Sequence, residues 1–157
     1  MKKVFAIFVL AVMLLAFVEI ARKPSVEQIV DDFDRIVHIV SLSQITHSNK
    51  LIGKRDFIEK DSYVGNYSSS CVSEKGRDVI FGGASVKDKK VVIKAKILTE
   101  NGSATLRIRL GSEVREYKID NKTPFEQTIN LQGGGNYIMI DYDNFTGTVD
   151  MTSNYAK

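Results

Sequence analysis

The sequence is poor in the residues that most often carry catalysis, metal binding and covalent cross-linking. Its 157 residues include one cysteine, two histidines, two prolines and no tryptophan. Because histidine and cysteine supply much of general-base, nucleophilic and zinc chemistry, their scarcity disfavours an enzyme or a metalloprotein. The single cysteine, Cys71, excludes a disulfide within the chain. We therefore expect no catalytic residue, no metal site and no cofactor, and a packed core with Cys71 inside it.

A strong charge of one sign is also missing. The 22 basic and 19 acidic residues give a net charge of +3, and each of the segments 1–21, 22–60 and 61–157 carries +1. Binding to nucleic acid requires clustered positive charge rather than a slight surplus, so we do not expect nucleic acid as a partner. The chain is long enough for one domain with an appendage.

One long hydrophobic run is present, and it lies at the N-terminus. Residues 4–18 are all apolar and follow Lys2 and Lys3, which is the layout of a secretory signal. As a helix the run would span about 22 Å, short of the ~30 Å hydrocarbon core of a bilayer. Glu19, two positions before Ala21, is unfavourable for cleavage after Ala21. Segment 1–21 is therefore predicted to be a signal peptide or a retained single-pass membrane anchor, with the remainder extracellular or on the cell surface.

Residues 22–61 are predicted to form an amphipathic helix and a polar linker. Ser25 and Gln28 have the spacing of a capping box, which starts a helix. Over residues 25–42 an apolar stripe recurs at helical spacing; it consists of Val26, Ile29, Val30, Phe33, Val37 and Val40. The stripe can pack on the downstream sheet, bind a protein partner or lie on a membrane, and the helix's acidic residues disfavour the membrane. The linker, residues 41–61, is expected to be mobile.

From residue 62 onward the apolar residues recur with the two-residue period of strands. Short segments of this kind occur at 63–72, 79–86, 91–98, 104–110, 125–131, 137–142 and 147–152, with turn residues between them. This spacing is typical of an antiparallel β-sandwich, and we predict a jelly-roll-like sandwich over residues 62–157. The chain as a whole is thus predicted to be mainly β, with an N-terminal signal or anchor helix and one amphipathic helix before the sandwich.

Two turns predict a basic face on this sheet. A type I′ turn at Asn101 and Gly102 sets Lys96 opposite Arg107. A second two-residue turn at Gly111 and Ser112 adds a third strand. The outer face of the three strands then carries five cations, which are Lys94, Lys96, Arg107, Arg109 and Lys118.

A cationic face of this kind is suited to an anionic cell-envelope polymer or to lipid headgroups. Two other functions remain open, a protein partner bound by helix 25–42 and a carbohydrate bound by exposed aromatic rings. The candidate rings are Tyr63, Tyr67, Phe145 and Tyr155. Over residues 62–155 the strand pattern resembles the small β-sandwich modules of secreted bacterial proteins, including carbohydrate-binding ones. That resemblance implies a non-catalytic binding role.

Overall fold

The computed structural model describes residues 25–59, 61–119 and 121–156. One helix and two 3₁₀ turns precede six strands, so the prediction of a mainly antiparallel β protein with one amphipathic helix is confirmed. The elements are α1 (Val26–Ser41), the turns Leu42–Gln44 and Ser48–Lys50, β1 (Lys54–Phe57), β2 (Gly65–Ser85), β3 (Lys89–Leu110), β4 (Glu113–Lys118), β5 (Phe125–Leu131) and β6 (Gly134–Tyr155).

The predicted signal or anchor segment, residues 1–21, lies outside the described residues. Within those that the structure does describe, no helix combines the length and the apolar character needed to cross a bilayer.

All six strands belong to one antiparallel sheet. Its order is β1-β2-β6-β3, and the outer edge of β3 pairs with β4 at one end and with β5 at the other. The three long strands β2, β6 and β3 are neighbours over almost their whole length.

The three long strands are each interrupted at the same point along the sheet, near Ser73, Gly102 and Asn144, and we call this line the crease. Register shifts occur near Ser73 in β2 and near Gly102 in β3, and positive φ angles mark Ser73 (53°), Gly102 (70°) and Asn144 (47°) in the three strands. Left straight, a strand of this length would extend for about 70 Å. Instead, Ile93 in the first half of β3 and Ile108 in the second half belong to one buried core. The sheet therefore folds over at the crease, and its halves face each other as the two layers of a sandwich do.

The predicted turn at Asn101 and Gly102 is wrong. A type I′ turn needs positive φ at both central residues, and of the two only Gly102 has it. β3 continues through this point, so Lys96 lies opposite Asp150 and Arg107 lies opposite Met139, both on β6. Along β3 the buried residues have odd numbers up to Ile97 and even numbers from Ala104 onward. A bulge and a two-residue turn both produce this change. The sequence pattern could not separate the two because the distant partner strand, β6, decides between them.

The second predicted hairpin is confirmed. Gly111 and Ser112 connect β3 to β4, with Leu106 opposite Tyr117 and Arg107 opposite Glu116. Strand β5 also has the predicted bounds. Both elements depend on local signals, a glycine-containing turn and a short alternating run.

The segment that the sequence suggests is mobile is in fact held to the sheet. The carboxylate of Asp78 is fully buried and accepts hydrogen bonds from the backbone nitrogens of Ile52 (3.0 Å) and Gly53 (3.2 Å). The Arg55 guanidinium donates to three backbone carbonyls, those of Thr46, Val79 and Ile80. These contacts place β1 against the edge of β2.

Helix α1 begins as predicted and packs on β2 through its polar side. Ser25 and Gln28 form the reciprocal capping-box hydrogen bonds. Asp34 accepts hydrogen bonds from the Ser85 hydroxyl and the Val86 backbone nitrogen, each at 2.7 Å. The helix comes so close to β2 that a Cβ on Gly83 would lie 2.7 Å from Nδ1 of His38.

Most of the apolar stripe of α1 consequently does not pack on the sheet, which disfavours the first of its three possible roles; Val37 is half-buried. Val26 remains 78% exposed and Phe33 remains 49% exposed. Helical periodicity shows that a helix has an apolar side, but it does not show which side faces the rest of the chain.

Candidate functional site

A groove of about 460 Å³ crosses the outer face of one half of the folded sheet. Its floor consists of two rows of outward-pointing side chains, with one residue in each row from β1, β2, β6 and β3. The first row is Lys54, Ser68, Asp150 and Lys96, and the second is Asp56, Asn66, Thr152 and Lys94.

The two rows carry polar groups because every second residue of these strands points into the core, although most of the surface that lines the groove is apolar and Pro124 also lines it. Tyr67, Ala95 and Met151 alternate with the floor residues and are each 2% exposed. Successive side chains of a strand lie on opposite faces, so burial of these three residues turns their neighbours outward. Both rows therefore present hydroxyl, amide, carboxylate and ammonium groups to solvent.

Two of the ammonium groups in the groove are free for a ligand. Lys94 lies 3.1 Å from Glu126 on β5. Among the described residues, Lys54 and Lys96 have no carboxylate oxygen within 4.0 Å. These two lysines stand at opposite ends of the first row, three strand spacings or about 14 Å apart.

The fold separates the five cations of the predicted basic face. Lys94 and Lys96 lie in the groove, whereas Arg107, Arg109 and Lys118 lie beyond the crease, on the other half of the sheet. The five cations would share one face only if residues 101 and 102 formed a turn, because that turn would bring the two halves of β3 side by side. No single face gathers all five.

Two of the three cations beyond the crease are engaged by other groups. Arg107 lies 2.8 Å from Asp141 and 3.3 Å from Glu116. Burial of Asp141 opposes its ionisation, but hydrogen bonds from Arg77 and Arg107 outweigh this and lower the pKa of Asp141. Arg109 donates to the carbonyl of Gly111 at 2.8 Å.

The aromatic rings that the sequence offers as a sugar platform are not available as one. Tyr63, Tyr67 and Phe145 are each 2% exposed or less. Tyr155 is half-buried, and its hydroxyl donates to Asp61. Tyr67 lies four residues before Cys71 on β2, so the two side chains point to the same face of the strand. The expected burial of Cys71 therefore also implies burial of Tyr67.

The sequence identifies only two of the eight floor residues, Lys94 and Lys96, as candidates for a binding site. Lys54 and Asp56 lie on β1, within the segment expected to be a mobile linker, and Asn66 and Ser68 were not considered as site residues. Their common signal is a polar residue at every second position, which is also typical of any solvated strand. Only the pairing of β1 with β2 brings them beside Lys94 and Lys96.

No protein-family model and no curated protein matches this chain. Solved structures match loosely. A carbohydrate-binding module of the Cellvibrio mixtus lichenase 5A, solved with cellotriose, has a TM-score of 0.39 and 13% identity over 74% of this chain and 95% of its own. The C-terminal carbohydrate-binding module of the Zobellia galactanivorans laminarinase LamC has a TM-score of 0.32 and 11% identity over 73% and 95%.

A third match is the capsular polysaccharide assembling protein CapF of Staphylococcus aureus, with a TM-score of 0.29 and 12% identity. It covers 66% of this chain and 31% of CapF. At TM-scores this low the superpositions say nothing about function, which has to be argued from the groove itself.

Proposed function

We propose that this protein is a non-catalytic binding protein whose groove takes an acidic polysaccharide, a hydroxyl-rich polymer with carboxylate groups along it. The observation that carries this proposal is the pair of four-residue rows on the groove floor, with the unpaired Lys54 and Lys96 at the ends of one row. Hydrogen-bonding groups between separated cations, here the Ser68 hydroxyl and the Asp150 carboxylate, suit a ligand whose negative charges are spaced out along a hydroxyl-rich chain.

Each class of side chain in the groove has a matching group on such a ligand. Ser68, Asn66 and Thr152 can both donate to and accept from sugar hydroxyls. Asp56 and Asp150 accept from those hydroxyls, and the two lysines donate to carboxylates in charge-assisted hydrogen bonds.

The two carboxylates of the floor favour a polysaccharide over lipid headgroups. A surface for anionic lipid gains about 1 kcal/mol from each lysine or arginine near it, and acidic residues among the cations oppose that attraction. Asp56 and Asp150 lie in the floor, between or beside the lysines. They are useful only to a ligand that brings hydrogen-bond donors, as sugar hydroxyls do.

The groove should recognise an oligomer rather than a single sugar. It is open and about 14 Å across, and seven of its eight floor side chains are solvent-exposed, with Thr152 half-buried. Each contact in such a site is weak and is screened by salt. Useful affinity therefore requires several contacts at once along one polymer.

The test is calorimetric titration of the full chain, in detergent, with oligogalacturonate. Replacing Lys54→Gln together with Lys96→Gln should weaken binding about 10-fold or more, because two charge-assisted hydrogen bonds are lost. Lys118→Gln is the matched control. That residue is an exposed lysine on β4, and its loss should leave the affinity unchanged.

Salt and a neutral ligand complete the test. Binding of the native chain should weaken as salt rises, and a neutral cello-oligosaccharide should bind less tightly than the uronate. Equal losses from the double substitution and from Lys118→Gln would contradict the groove as the site. Tight, salt-independent binding of the neutral oligosaccharide would contradict the acidic ligand.

A further inference from the structure

Helix α1 carries its apolar side away from the protein. Val26, Phe33 and Val40 are seven residues apart, and Ile29 and Ile36 follow the first two by three residues. This is the spacing of one continuous helical face. Val26, Ile29, Phe33, Ile39 and Val40 are between 45% and 78% exposed. We refer to the side formed by residues 26, 29, 30, 33, 36, 39 and 40 as the outer face of α1; within it, Ile36 is half-buried.

The opposite side of the helix is polar, and it is this side that contacts the sheet. Asp34 binds Ser85 and Val86, and the Ser41 hydroxyl accepts from the Ala84 nitrogen at 2.6 Å. A helix on a soluble domain normally has the reverse arrangement. Apolar patches of several hundred Å² are rare on monomeric proteins unless something binds them.

Three of the four acidic residues of α1, which argue against a membrane at the level of sequence, are engaged by other groups in the structure. Asp31 pairs with Lys87. Asp34 faces β2, where it accepts hydrogen bonds from Ser85 and Val86. Asp32 lies 3.8 Å from the Arg35 guanidinium. The repulsion expected between this helix and an anionic bilayer is therefore reduced, although among the described residues Glu27 has no cation within 4.0 Å.

The chain that precedes α1 indicates what covers the outer face. The apolar run of residues 4–18 ends seven residues before Ser25, and seven residues reach at most about 25 Å. As a helix, this run would be apolar on all sides, which is suited to a bilayer. The apolar side of α1 could cover only one side of it. Inserted in a membrane, it would hold the start of α1 within that distance of the lipid surface.

We propose that the outer face of α1 docks on a lipid bilayer, with the helix lying in the plane of the interfacial region and its apolar side chains among the headgroups and upper acyl chains. A second copy of the chain fits less well. The sixteen residues of α1 give barely two heptads for a coiled coil with a second helix. This inference does not depend on what the groove binds.

The experiment places a fluorescent label on the outer face in the full chain, reconstituted into phosphatidylcholine vesicles. In a Cys71→Ala background, a bimane label is attached through Phe33→Cys or Ile39→Cys, and through Lys118→Cys as the aqueous control. Nitroxide-labelled lipid should quench positions 33 and 39 by about half or more, whereas dissolved iodide should quench chiefly position 118.

Two results would overturn the proposal. One is iodide quenching at positions 33 and 39 equal to that at position 118, with no quenching by nitroxide lipid. The other is efficient disulfide formation between two chains through Phe33→Cys without quenching by nitroxide lipid, which would assign the face to a second copy. Since both residues are exposed, the labelled variants should unfold at the temperature of the unlabelled Cys71→Ala chain, which is checked by circular dichroism.

Discussion

Replacing Asp78 with alanine is expected to lower the free energy of unfolding by about 3–5 kcal/mol. The Asp78 carboxylate is fully buried and accepts from the backbone nitrogens of Ile52 and Gly53 and from the Tyr67 hydroxyl, the last at 2.5 Å. Alanine leaves the two backbone nitrogens without this acceptor, whereas the Tyr67 hydroxyl keeps its contact with the Tyr142 hydroxyl at 2.7 Å. Each buried unsatisfied group costs about 1–3 kcal/mol. Ile52 and Gly53 lead directly into β1, so the same substitution should also loosen the Lys54 side of the groove.

Urea unfolding of the native chain and two variants measures this effect. Asp78→Asn retains one carbonyl oxygen as an acceptor, so it should cost less, about 1–2 kcal/mol. If Asp78→Ala cost less than about 1 kcal/mol, the carboxylate would not be what holds the 41–61 segment to the sheet.

Replacing Gly102 with alanine should destabilise the protein by about 3 kcal/mol, well above the cost of the same change at Gly111. Gly102 has a φ of 70°, and an added Cβ would collide with the backbone oxygens of Asn144 and Asp143. The collision arises because the creases of β3 and β6 meet at this point. Relieving it requires a backbone shift in two strands.

Gly111→Ala is the matched control for this prediction. Gly111 also has a positive φ, of 60°, but an added Cβ would meet no atom within 4 Å. Its substitution should cost only the left-handed conformation, about 1 kcal/mol. Equal losses at the two positions in urea unfolding would mean that residue 102 is a solvent-exposed turn, as the sequence suggests, and would contradict the folded sheet.

Elements that depend on neighbouring residues could be predicted from the sequence. The start of α1 follows from the capping box at Ser25, and the β3–β4 hairpin follows from Gly111. The crease could not be predicted, because the alternation around Gly102 is the same for a turn and for a bulge. The pairing with β6, some forty residues away, determines which of the two forms.

The candidate site could be predicted only in part, for the same reason. Lys94 and Lys96 are identifiable as outward residues of an alternating strand. Their partners across the groove depend on β1, whose position is set by Asp78 and by pairing with β2. The orientation of α1 on the sheet could not be predicted either. It depends on hydrogen bonds between Asp34 and β2, and the spacing of apolar residues gives no information about them.

The most direct test of the groove as a binding site is a titration of the ¹⁵N-labelled full chain with oligogalacturonate, followed by backbone amide chemical shifts. The largest changes should occur at the eight floor residues, which are 54, 56, 66, 68, 94, 96, 150 and 152. Changes centred instead on Arg107 and Arg109, beyond the crease, or an absence of change at saturating ligand, would contradict the proposed function.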